Sequence, residues 1–180
     1  MIIEITREDL DFIKDYAKGV LKHKGVDTSL KFQYGKGEPL QYDIKGYTGE
    51  FVVHKHFGIT MPEYNPEYTK KDILLDHNGK QLVCDIKTTV YPAKLLYGWG
   101  KILTVGEKIV ESNQMDKKID AFIAVDINKD YTAADILGII SWERFVALKK
   151  THSFSNGGSA PFVPVTELTE LTDDFTYLGS

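Results

Sequence analysis

The dipeptide Asn78-Gly79 constrains the fold of this chain more than any other short feature of its sequence. Both residues tolerate the positive φ that a type I′ turn requires, and the pair is the strongest short-range signal for a β-hairpin. Apolar runs flank the dipeptide, so the sequence predicts two antiparallel strands within residues 70–89. If the dipeptide forms the turn, the resulting register places Asp72 directly opposite Asp85.

The predicted hairpin therefore brings two carboxylates together. Lys87 lies two residues beyond Asp85, so its side chain projects from the face that carries both aspartates. Directly opposed carboxylates repel each other unless a positive group lies between them. A divalent cation with oxygen ligands meets that need, and Lys87 would lie near the cation and any phosphate bound to it. The pattern predicts a metal-assisted phosphodiester site; the alternative is a solvated strand face on which acids and lysines alternate.

Length and composition favour a globular protein with one domain. The 180 residues suffice for one full core, and 42% hydrophobic with 27% charged residues is typical of soluble proteins. No apolar run approaches the roughly 18 residues of a membrane helix, and the N-terminus lacks the pattern of a signal peptide. We therefore expect an intracellular, cytoplasmic protein with no membrane partner. The single Cys84 cannot form an internal disulfide and is expected to be a small buried residue.

Hydrophobic periodicity and capping residues divide the rest of the chain into helices and strands. Thr104 and Glu107 have the spacing of a capping box, which predicts a helix from residue 105. Besides the hairpin, the sequence predicts helices over 7–24, 42–57, 105–117 and 142–150, and strands over 119–127 and 135–140. We expect one mixed α/β domain with its core over about 42–150, an N-terminal helix and loop over 1–41 and a C-terminal extension over 151–180.

Basic and aromatic side chains follow the hairpin and could contact an anionic substrate. The next segment interleaves Tyr and Trp residues with Lys94 and Lys101, a mixture that can stack bases and hold a phosphate backbone. The alternative is a surface loop anchored by its aromatic residues. Gln114 and Lys118 lie near the end of the following helix and are further candidates for substrate binding. Residues 85–118 carry six basic and four acidic side chains, a mild positive excess in a chain of net charge −4.

The order of these elements resembles the core of the PD-(D/E)XK nuclease superfamily, which includes restriction enzymes, Holliday junction resolvases and phage exonucleases. The Asp85-Ile86-Lys87 triplet is similar to its (D/E)-x-K signature. Asp72 is similar to its upstream aspartate, and Glu50 to the glutamate on its first core helix. The resemblance covers roughly residues 42–145.

Two features depart from the family pattern. The residue directly before Asp72 is not proline, and the segment between the first core helix and this aspartate makes a poor strand. Asp76 competes with Asp72 for the role of upstream aspartate. The predicted register places Asp76 by the turn, opposite Gln81 and away from Asp85, so Asp72 is preferred.

The resemblance implies a restriction endonuclease-like fold, in which helices flank a central mixed sheet with a catalytic hairpin. It implies that Asp72, Asp85 and the Ile86 carbonyl bind Mg²⁺ or Mn²⁺. It also implies that Glu50 completes the ligand shell and that Lys87 holds the attacking water and the phosphate.

The implied activity is hydrolysis of phosphodiester bonds in DNA, by an endonuclease rather than an exonuclease. Dimers are common among the proteins that the chain resembles, so a homodimer is compatible with this interpretation. One alternative is a catalytically inactive module of the same fold that binds nucleic acid or protein. Another is a structural protein whose acidic residues are merely solvated.

Overall fold

The computed structural model describes residues 2–25, 39–63, 72–91, 102–105, 107–116, 118–153 and 159–179. In chain order the elements are β1 (Ile2–Glu4), α1 (Arg7–His23), α2 (Pro39–His56), β2 (Ile73–His77), β3 (Lys80–Tyr91), β4 (Ile102–Thr104), α3 (Glu107–Asp116), β5 (Ala121–Asn128), β6 (Ala133–Ser141), α4 (Trp142–Leu148), β7 (Lys150–Ser153), β8 (Ser159–Pro164), a 3₁₀ turn (Val165–Glu167) and β9 (Phe175–Gly179). Within these ranges, no helix combines the length and the apolar character needed to cross a bilayer.

Six strands form the central sheet in the order β1-β6-β5-β3-β2-β9. The pair β3 and β5 is parallel and the other neighbours are antiparallel, so the sheet is mixed, as the predicted α/β class requires. Strands β4, β8 and β7 form a second, smaller sheet. Strands β1 and β9 form the two edges of the central sheet. They lie within residues 1–41 and 151–180, the two regions that we expected to flank the core.

Alternating residues of β5 contribute to hydrophobic clusters on opposite faces of the central sheet. Ile123 belongs to one cluster with Val52 and Val53 of α2. Phe122 belongs to the other, where its ring centroid lies 5.1 Å from that of Phe145 in α4. The first cluster anchors α2 against the sheet, which determines where the residues of that helix meet β3.

The predicted positions of α1, α2, α4, β5 and β6 agree with the structure to within a few residues. The prediction of a helix capping box at Thr104 is wrong, because Thr104 belongs to β4 and pairs with Phe162 of β8. The N–H of Val105 then donates to the Pro161 carbonyl at 3.0 Å, and α3 begins only at Glu107. Pairing with a distant strand therefore prevails over a local helix signal.

Candidate active site

The β2–β3 hairpin has the register that its turn residues predict. Asn78 has a φ of 56° and Gly79 a φ of 79°, both in the left-handed region that a type I′ turn needs. Ile73 pairs with Cys84, so the next position outward brings the two aspartates opposite each other. Asp76 lies beside the turn, where its Oδ1 accepts a hydrogen bond from the Gly79 N–H at 3.0 Å. The register therefore separates Asp76 from the proposed site, as predicted.

The backbone of β3 holds Asp72 at the open end of the hairpin. Its N–H donates to the Cys84 carbonyl at 3.3 Å, and its Oδ2 accepts from the Ile86 N–H at 2.6 Å. Strand β2 begins at Ile73, which pairs with Cys84. Beyond Cys84, no strand in the described part of the chain pairs with the edge of β3 that faces β2. The Asp72 carboxylate accepts from the Ile86 N–H in place of the backbone carbonyl that a longer β2 would have offered. This hydrogen bond holds the Asp72 side chain beside Asp85.

Asp72 lies in an environment that strongly perturbs its pKa. The pKa of Asp72 is raised from 3.8 to about 7, chiefly by burial and then by repulsion from Asp85. A side-chain hydrogen bond with Asp85 acts in the same direction, whereas the Ile86 N–H and the Lys87 ammonium oppose the shift. Burial and repulsion therefore both favour the protonated form of Asp72.

Lys87 supplies positive charge on the same face of β3. Its Nζ lies 2.5 Å from Asp85 Oδ2, and the two side chains are only 22% and 17% exposed. The two groups form an ion pair, but the angles of the contact are not those of a hydrogen bond. Among the described residues, the buried Asp85 Oδ2 therefore has no hydrogen-bond donor. This oxygen keeps a lone pair for another partner.

Helix α2 crosses β3 in close contact. A methyl group added at Gly49 would overlap the Oγ1 of Thr88, so the absence of a side chain at position 49 permits this approach. Gly46, in the same helix, faces open space. Only one of the two glycines in this helix therefore serves helix–strand packing.

The crossing brings Glu50 close to both aspartates. Burial raises the pKa of Glu50 well above its ordinary value, and the charges of Asp72 and Asp85 raise it further. The cations Lys87 and Lys24 lower it. The site therefore combines Glu50, Asp72 and Asp85 with Lys87. These side chains come from separate parts of the sequence and interact electrostatically.

Sequence reasoning missed two neighbours of this cluster. Lys24 follows α1. Burial raises the pKa of both Asp43 and Glu50, and the charge of Lys24 opposes this rise. Thr88 directly follows the (D/E)-x-K triplet and packs against Gly49. Neither position carries a local signal, because each approaches Glu50 only through the packing of α2 against another element.

The candidates for substrate binding are only partly described. Lys94 and Lys101 lie outside the described residues. Gln114, on α3, and Lys118, just beyond it, are both exposed to solvent. Their contact with substrate stays a prediction.

The donors at this site fit a hard divalent cation. Carboxylate oxygens of Asp72, Asp85 and Glu50 are the ligands that Mg²⁺ and Mn²⁺ prefer, and Asp85 Oδ2 still lacks a hydrogen-bond donor. In the described ranges no three His, Cys, Asp or Glu side chains are already arranged as a metal-binding group. The ion pair with Lys87 offsets part of the negative charge.

A scan against protein-family models finds no match for this chain. A search among curated proteins also finds no similar sequence.

Replacing Gly49 by Ala tests the contact between α2 and β3. The new methyl group would overlap the Thr88 hydroxyl, so we expect the free energy of unfolding in urea to fall by roughly 1–3 kcal/mol. Gly46→Ala is the matched control in the same helix and should raise it by about 0.5–1 kcal/mol. Adding Thr88→Ala to Gly49→Ala should restore part of the loss. Equal effects of the two glycine substitutions would contradict the close approach.

Replacing Asp72 by Asn tests the repulsion between the carboxylates. The folded pKa of Asp72, about 7, exceeds its ordinary 3.8, so its contribution to stability declines as pH rises between these values. In EDTA we expect Asp72→Asn to raise Tm at pH 8, by roughly 2–4 °C for each kcal/mol of repulsion removed, and less at pH 5.

Asp76→Asn is the control for this measurement, because Asp76 lies beside the turn. Because Asp76 does not face Asp85, its replacement should not reproduce the rise in Tm expected of Asp72→Asn at pH 8. An Asp72→Asn variant that is destabilised equally at pH 5 and pH 8 would show that the two aspartates do not repel.

Proposed function

We propose that this protein is a metal-dependent nuclease that hydrolyses phosphodiester bonds in DNA, and specifically an endonuclease of the PD-(D/E)XK type. One observation carries the proposal. The hairpin and α2 bring three acids into mutual electrostatic contact, and one of these acids, Asp85, is ion-paired with Lys87. The mixed sheet, with helices packed against it and an antiparallel hairpin at the site, supports a restriction endonuclease-like core.

The acids would hold the cation. Asp72 and Asp85 offer carboxylate oxygens from neighbouring strands, and the Ile86 carbonyl between Asp85 and Lys87 offers a further oxygen. Glu50 would complete the set from α2. When bound, Mg²⁺ or Mn²⁺ supplies a water of lowered pKa and polarises a phosphoryl oxygen.

Lys87 would act on the substrate itself. Its ion pair with Asp85 keeps the ammonium on the face where the aspartates lie, so a phosphate bound there would meet it. The ammonium can hold the attacking water and donate to a phosphate oxygen. It would thereby offset the charge that develops when that phosphorus becomes pentavalent.

A cleavage panel tests the proposal. We expect plasmid, linear, single-stranded or branched DNA to be cut in the presence of Mg²⁺ or Mn²⁺ and to remain intact with EDTA. Lys87→Ala should lower the rate by roughly 10²-fold or more while the circular dichroism spectrum is unchanged. Lys80→Ala is the control, because Lys80 is exposed at the turn of the same hairpin and pairs with His77.

Three outcomes of the cleavage panel would contradict all or part of the proposed function. Metal-dependent cutting by Lys87→Ala at the rate of the unchanged protein would refute the role of Lys87. DNA binding without cutting under every condition would indicate an inactive module of the same fold. Absence of both binding and cutting would leave the acids as a structural feature.

A further inference from the structure

Three buried side-chain atoms in the described part of the chain have no hydrogen-bond partner: His54 Nε2, Asp85 Oδ2 and Thr88 Oγ1. All three belong to α2 or β3, the elements that form the candidate active site. Buried polar atoms are paired in most proteins, so such exceptions need a physical explanation. Asp85 Oδ2 is explained by its ion pair and by the cation it would hold. The hydroxyl of Thr88 has no such explanation.

The position of Thr88 points its side chain toward α2. Residues alternate along a strand, so Lys87 and Thr88 project from opposite faces of β3. Thr88 pairs with Val125, which belongs to the hydrophobic cluster beneath α2. Its Oγ1 lies against Gly49, the residue directly before Glu50.

The described packing makes no use of this hydroxyl. Valine has nearly the same shape and an equally high preference for strands, and it would leave no polar atom unpaired at this contact. Threonine at this position therefore lowers stability unless the hydroxyl has a partner. Glu50 is the neighbouring acid, and its carboxyl group is half-buried and strongly perturbed.

We propose that Thr88 is a positioning residue for Glu50, acting through a water molecule that its Oγ1 shares with the Glu50 carboxyl group. A buried water bridges polar groups that otherwise lack partners. Thr88 Oγ1 lies against Gly49, so the next residue, Glu50, begins at the same contact between α2 and β3. The bridge orients Glu50 toward Asp72 and Asp85, so that the three acids accept a divalent cation together. This inference rests on the proposed function, because it assigns a metal-binding role to the same acids.

His54 does not provide this partner. Its Nδ1 lies 2.8 Å from the Glu50 carbonyl oxygen, which is a backbone contact within α2. Its ring lies edge-on to Tyr177 of β9, with centroids 5.9 Å apart. The imidazole therefore packs between α2 and the edge of the sheet.

The test compares Thr88→Val, Thr88→Ser and Thr88→Ala in the full chain, with Mn²⁺ alone as the probe. Calorimetric titration measures Mn²⁺ affinity, and thermal unfolding in EDTA measures stability. We expect Thr88→Val to keep or raise Tm yet weaken Mn²⁺ binding roughly 10–100-fold. Thr88→Ser keeps the hydroxyl and should bind Mn²⁺ as the unchanged protein does. Thr88→Ala should weaken binding to the same degree and is the second variant if Thr88→Val does not fold.

Thr48→Val is the matched control. Thr48 is a buried threonine of α2 whose hydroxyl already donates to the Ile44 carbonyl at 2.6 Å. Its replacement should lower Tm and leave Mn²⁺ affinity unchanged, which is the reverse of the pattern expected at Thr88.

Two results would overturn the role of Thr88 alone. In the first, Thr88→Val binds Mn²⁺ as tightly as the unchanged protein. In the second, Thr88→Ser weakens binding as much as Thr88→Val, which would assign the effect to packing of the methyl group. If the unchanged protein binds no Mn²⁺, the proposed function fails together with this inference.

Discussion

Repulsion among three partly buried carboxyl groups is the constraint on which the candidate site depends. Asp72 and Asp85 meet across the hairpin, and Glu50 reaches them from α2. In the absence of a cation, a raised pKa, a backbone N–H donor and the Lys87 ammonium together offset this repulsion. Such an arrangement lowers the stability of the fold by itself, which is why we propose a cationic ligand for it.

Local chemistry made the hairpin predictable from the sequence. Asn78 and Gly79 have one strongly favoured turn geometry, and that geometry alone determines which residues face each other across the strands. Elements that form through distant pairing were not predictable in this way. Thr104 carries a helix-capping pattern but joins β4 because Phe162 pairs with it. Strand β9 similarly exists because β2 offers it an edge.

The same distinction applies to the site. The sequence predicted which acids the fold brings together, since Asp72 and Asp85 follow from the register and Glu50 from the family resemblance. It did not indicate how α2 reaches the hairpin. That depends on the contact between Gly49 and Thr88, which joins residues from different elements and has no counterpart in local periodicity.

A crystal of the protein grown with Mn²⁺ provides the most direct test of the account. Anomalous scattering at the manganese edge would locate the ion without reference to the protein coordinates. We expect a peak in contact with the carboxylates of Asp72 and Asp85 and the carbonyl of Ile86. An anomalous map with no peak at these residues, or with its only peak elsewhere on the chain, would contradict it.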